Sequence, residues 1–139
     1  MAEETKETQE PKAKEDPKEA KETKGTKETQ KTSEIKAKKH DTTMPLLQSM
    51  YGEFKELSKK KPEAAVSKNK IQIVNRLLES VRQVLEEEDA ITFLDLLDDD
   101  DLPQNSDVTL ILSQYVAAME TFKDKYYGWG GTENTWFIK

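Results

Sequence analysis

Apolar residues recur at helical spacing in several stretches after Met44 and almost nowhere before it. The clearest pattern lies in residues 70–88. There Ile71, Val74, Leu77, Leu78, Val81, Val84 and Leu85 fall three or four residues apart with polar residues between them. At roughly 100° per residue this set, with Ile73, covers an arc of ~160°, wider than the seam between two helices. The pattern predicts a helix near 69–88 that acts as the hub of a small bundle and touches more than one neighbour.

Two more long helices and one short one complete the expected fold. Leu46, Leu47, Met50, Tyr51, Phe54 and Leu57 form a stripe that predicts a helix near 45–59. Pro45 suits its first turn, where a missing N–H costs nothing, and Thr43 or Met44 would cap it. Pro62 stops it, because the residue before a proline avoids the helical region. The sequence allows either a continuous joint to the hub through residues 62–66 or a break at 67–69. Residues 90–97 are apolar around most of a helical circumference and predict a short buried connecting helix, ended by residues 98–101 and Pro103. Val108, Ile111, Leu112, Tyr115, Met119, Phe122 and Tyr126 predict a last helix near 107–127. Asn105, Ser106 and Asp107 are its candidate caps, and Gly128 stands where a left-handed C-terminal cap belongs. The expected fold is therefore all-α: a three- or four-helix bundle over residues 44–127, followed by an irregular aromatic segment at 128–139.

Composition sets the N-terminal part apart. Residues 1–43 are almost entirely Lys, Glu, Thr, Gln, Ala and Pro, with no aromatic residue and one branched apolar, Ile35. Such a stretch cannot bury enough surface to offset the entropy of ordering, so it is expected to be a disordered, low-complexity tail. It holds eleven lysines and eleven acids, so all of the net charge of −6 belongs to the remainder of the 139 residues. That balance, with a pI near 5.0, disfavours a general binder of nucleic acid or anionic membrane. No apolar run approaches the length of a membrane span, and the start of the sequence lacks the apolar core of a signal peptide. Without cysteine there are no disulfides, thiolate chemistry or cysteine-ligated zinc, and a cytoplasmic setting is the expectation.

Catalytic chemistry has little to draw on. The only histidine, His40, falls in the tail, so a Ser–His–Asp arrangement would need the tail to fold back. No phosphate-cradling glycine pattern occurs. An EF-hand loop counted from Asp98 would place Pro103 where glycine is needed and Thr109 where a glutamate is needed. No metal, cofactor or catalytic residue is assigned.

Two features point outward instead. The first is separated charge. Between Lys55 and Arg82 there are eight basic and three acidic residues, whereas from Glu86 to Asp107 there are ten acidic and no basic ones. Around the hub this opposes the helix dipole. The second is the C-terminal group of Tyr127, Trp129, Trp136 and Phe137, spaced by glycines. Its rings either finish the core or form a contact surface for another protein. The leading functional expectation is a non-enzymatic protein–protein interaction module or adaptor that uses those four aromatic residues. The alternative is weak nucleic-acid binding through Lys59, Lys60, Lys61, Lys68, Lys70, Arg76 and Arg82. A third reading, an enzyme built on carboxylates alone, would rest on Asp95 with Asp98 or Glu79 and would need a cleft to perturb them.

Overall fold

The computed structural model describes residues 30–139, and the expectations for residues 1–29 lie outside that range. The first helix, α1, runs Glu34–Lys60. Ser33 caps it, its hydroxyl accepting the Lys36 amide at 3.1 Å. Residues 34–43 therefore belong to the folded body and not to the tail in which the sequence pattern placed them. The face they bury consists of Ala37, His40 and Thr43, which are small or polar. A hydrophobic count passes over such residues, yet they fit close against a neighbouring helix. Pro45 accordingly sits well inside α1 and not in its first turn, at the cost of the amide that would have bonded to the Asp41 carbonyl.

The chain breaks after Lys60 and restarts at Ser67, whose hydroxyl caps α2 (Lys68–Val84) by accepting the Lys70 amide at 3.2 Å. Ile71, Val74, Leu78, Val81, Val84 and Leu85 are fully buried, as their spacing predicts. The hub of the bundle is nevertheless α1. It lies along both α2 and α3 (Asn105–Tyr126), while those two approach each other closely at only a few points.

What lies between α2 and α3 is the segment expected to be a connecting helix at 90–97. Its first half is a 3-10 turn, Asp89–Phe93, with no buried residue, and the second half leaves it through an extended Leu94 and has no regular secondary structure. Side chains from the flanking helices hold this second half. Asn75 grips Leu97 twice, its amide donating to the Leu97 carbonyl and its oxygen accepting the Leu97 amide, both at 2.8 Å. The Arg82 guanidinium donates to the Leu94 carbonyl, and the Tyr115 hydroxyl donates to the Asp95 carbonyl at 2.8 Å. These outside partners replace the internal hydrogen bonds of a helix. The strap needs to bury only Leu94 and Leu97 to close this side of the core.

The start of α3 is locked to the α1–α2 loop. Val66 donates to the Pro103 carbonyl at 2.8 Å, Asn105 to Ala64 at 3.0 Å and Ser106 to Pro62 at 3.0 Å. At its other end no left-handed cap forms at Gly128. Tyr127 leaves the helix with extended backbone, φ −133° and ψ 135°. It starts an antiparallel hairpin of β1 (Tyr127–Trp129) and β2 (Asn134–Trp136), paired Tyr127 with Trp136 and Trp129 with Asn134. Among the described residues the one glycine with positive φ is Gly131, at 106° in the hairpin turn. After the hairpin the last residues run parallel to the residues just before α1. Thr32 donates to Phe137 at 2.8 Å and Lys139 donates to Thr32 at 3.0 Å.

Candidate functional site

The four aromatic residues singled out in the sequence divide between interior and surface. Trp136 folds back on the core, edge-on to His40 at 5.2 Å and to Tyr127 at 5.3 Å between ring centres. Its indole N–H donates to the Asp41 carboxylate at 3.1 Å. Tyr127 and Phe137 are half-buried, and the Phe137 ring covers Gly128, where an added Cβ would stand 3.4 Å from it. Trp129 alone is open to solvent, at 67% exposure.

Of the seven basic residues, five gather at one end of the bundle and two do not. Lys59, Lys60, Lys61, Lys68 and Lys70 stand at the end of the bundle where α1 turns into α2. Lys59 pairs with Glu56 at 3.1 Å. Arg82 lies near the opposite end of α2 and is turned inward on the Leu94 carbonyl. Arg76 sits between them, exposed. The acidic residues after α2 are partly matched by lysines of the other helices: Lys36 meets Glu86 and Glu87 at 3.5 and 2.9 Å, and Lys125 meets Glu88 at 3.0 Å. Lys36 thereby holds the Glu87 carboxyl below its ordinary pKa. Asp98, Asp99 and Asp100 bring carboxylate oxygens within 4.8 Å of one another. The Asp98 carboxylate accepts the Asp100 and Asp101 amides, which lowers its pKa. Asp95, Asp98 and Glu79 are all exposed.

His40 was assigned to the tail, but it is 2% exposed and stands inside the bundle. Its Nε2 lies 2.8 Å from the Met119 carbonyl oxygen, and its ring stacks on Phe122 at 5.6 Å. Burial lowers its pKa, with the nearby Lys123 acting in the same direction. The Met119 hydrogen bond and Asp41 oppose them. Because a carbonyl can only accept, Nε2 carries the proton, and Nδ1 is left buried without a partner.

One open feature among the described residues was not read from the sequence. It is a groove of about 710 Å³ between the outer flanks of α1 and α2. Thr43, Leu46, Met50, Phe54 and Leu57 line one wall at helical spacing, and Ile73, Val74, Leu77 and Ser80 line the other. The two helices run antiparallel here, so Leu57 faces the start of α2 and Thr43 faces its second half. From Thr42 to Leu57 the groove extends ~22 Å at 1.5 Å per residue. Leu46 and Ile73 remain 56% and 44% exposed. The signal was present in the sequence: Ile73 and Leu77 made the hub's apolar arc wider than one seam needs. The surplus does not face another helix among the described residues.

No helix among the described residues is long and apolar enough to cross a membrane. Comparison with known proteins finds no family model, curated protein or solved structure that matches this chain.

Proposed function

We propose that this protein is a non-enzymatic interaction module that receives a segment of another protein in the α1–α2 groove. The observation that carries the reading is the pair Leu46 and Ile73, two large aliphatic side chains left half-open on facing walls of one apolar channel. Single exposed leucines are ordinary on protein surfaces, but a contiguous apolar strip framed by polar residues marks a contact site. Two adjacent helices with an apolar furrow between them suit the helix-in-groove mode of recognition. Trp129 and Phe93, at 67% and 76% exposure, are further apolar contacts outside the groove. A cytoplasmic setting, in keeping with a cysteine-free chain, is part of the proposal.

A photo-reactive amino acid in place of Ile73, introduced in the native host, tests this. The expected result is one discrete cross-linked protein that is identified by mass spectrometry and binds again in purified form. It should be missing when the probe replaces Leu110, an exposed residue of α3, and lost on Leu46→Glu. No adduct, or the same adducts from both positions, would overturn the proposal.

A further inference from the structure

We infer that the occupant of the groove is an amphipathic helix with acidic residues along the flank facing α2. The inference rests on the groove reading above and adds the chemistry of the partner.

Shape comes first. The walls are two antiparallel helices whose lining residues step by three or four, so the furrow repeats at the pitch of a helix. Its length of ~22 Å accommodates about four helical turns. An extended strand would present side chains every second residue and would leave its backbone N–H and C=O groups unpaired, because neither wall offers an open sheet edge. A helix satisfies its own backbone and brings an apolar stripe to the furrow.

Charge comes second. Lys70 and Arg76 stand on the α2 wall, and Glu53 stands on the α1 wall. None of the ion pairs among the described residues uses any of the three. The two cations belong to the basic stretch 55–82 and stand on the α2 side of the channel, whose remaining charged lining residue, Glu53, is on the α1 wall. An incoming helix with glutamate or aspartate on that flank would meet both of them. One with lysine there would meet like charge from both.

Residues 1–29 contain no aromatic or branched apolar side chain of the kind that would fill such a furrow.

The test uses two labelled synthetic peptides of sixteen residues. Both have leucine at alternating three- and four-residue steps; one carries glutamate on both flanks and the other lysine. Fluorescence anisotropy with the full-length chain is expected to show the glutamate peptide binding at least tenfold more tightly at low salt. The gap should narrow in 0.5 M sodium chloride, and Lys70→Glu with Arg76→Glu should reverse the preference. Leu46→Glu with Ile73→Glu, both at surface positions, should abolish binding of either peptide while circular dichroism stays unchanged. Equal binding of both peptides, or tighter binding of the lysine peptide, would overturn the acidic partner and leave the groove standing. No binding of either peptide would overturn the groove as well. Sedimentation that shows a dimer of the chain, dissolved by the Leu46→Glu and Ile73→Glu pair, would replace the partner helix with a second copy.

Discussion

His40 and Met119 are joined inside the bundle by a hydrogen bond of 2.8 Å between imidazole Nε2 and a helix carbonyl, 79 residues apart in the chain. The bond ties the early turns of α1 to α3, and it fixes which nitrogen carries the proton. The second nitrogen, Nδ1, has no partner, and a second proton there would be buried without an acceptor. The fold therefore favours neutral imidazole, in line with the lowered pKa that burial imposes.

Stability should follow from that preference. The folded pKa lies below 6.5, so between the two values the unfolded chain binds the extra proton and the folded chain does not. Stability is then complete above about pH 7. It falls as the pH drops through 6.5 and levels off once the folded pKa is passed. Urea unfolding between pH 8 and pH 5 should show this slope, and His40→Leu should remove it. A wild-type slope of the opposite sign, or one that persists in the variant, would refute the assignment.

The ordered residues ahead of Met44 make a second test. A chain starting at Gln30 keeps every contact described here, including the bonds of Thr32 to Phe137 and Lys139. A chain starting at Met44 loses Ala37, His40, Thr43 and the Asp41 acceptor of Trp136. The shorter chain should be less stable by on the order of 4 kcal/mol or more, from lost burial together with lost buried hydrogen bonds. Thermal melts of the two truncations would show it, and equal melting temperatures would contradict it.

These cases also show where a sequence pattern stops carrying information. The buried face of α2 was legible because Ile71, Val74, Leu78, Val81 and Leu85 are large and recur three or four residues apart, so period and burial coincide. The first turns of α1 were illegible because their buried residues are Ala37, His40 and Thr43, and lysines between them give the stretch the composition of a solvated tail. Residues 90–97 were misread for a different reason. A short apolar run does not distinguish a buried helix from a non-helical strap. The deciding partners, Asn75, Arg82 and Tyr115, lie on other elements. The groove was half-legible: the wide arc of α2 signalled surplus apolar surface, but only the placement of α1 shows where the surplus opens.

The two tryptophans should separate cleanly in solution. Trp129 is largely exposed, whereas Trp136 is packed among His40, Phe122 and Tyr127. With Trp136 replaced by phenylalanine, the remaining emission from Trp129 should be red-shifted and strongly quenched by iodide. With Trp129 replaced, emission from Trp136 should be bluer and resist quenching. Trp136→Phe should also cost roughly 1 kcal/mol through the lost bond to Asp41, while Trp129→Phe should stay within about 0.5 kcal/mol. Similar quenching of the two would mean that the hairpin does not hold Trp136 against the core.

The strap at 94–97 offers the last test, because so little holds it. Only Leu94 and Leu97 are buried there, and four side-chain hydrogen bonds from α2 and α3 anchor its backbone. Asn75 supplies two of the four and satisfies both the amide and the carbonyl of Leu97. Asn75→Leu keeps the branched side-chain shape but leaves both of those groups unpaired at a half-buried site. That should destabilise the protein by roughly 2–3 kcal/mol. The loss should also be local first: the Leu97 amide should exchange with solvent much faster, and protease should cut near the strap before the helices unfold. Hydrogen exchange with limited proteolysis of the wild type and of Asn75→Leu would measure both effects. If the strap were held by burial of Leu94 and Leu97 alone, the variant would exchange at the wild-type rate, and the account of why residues 90–97 are not a helix would fail with it.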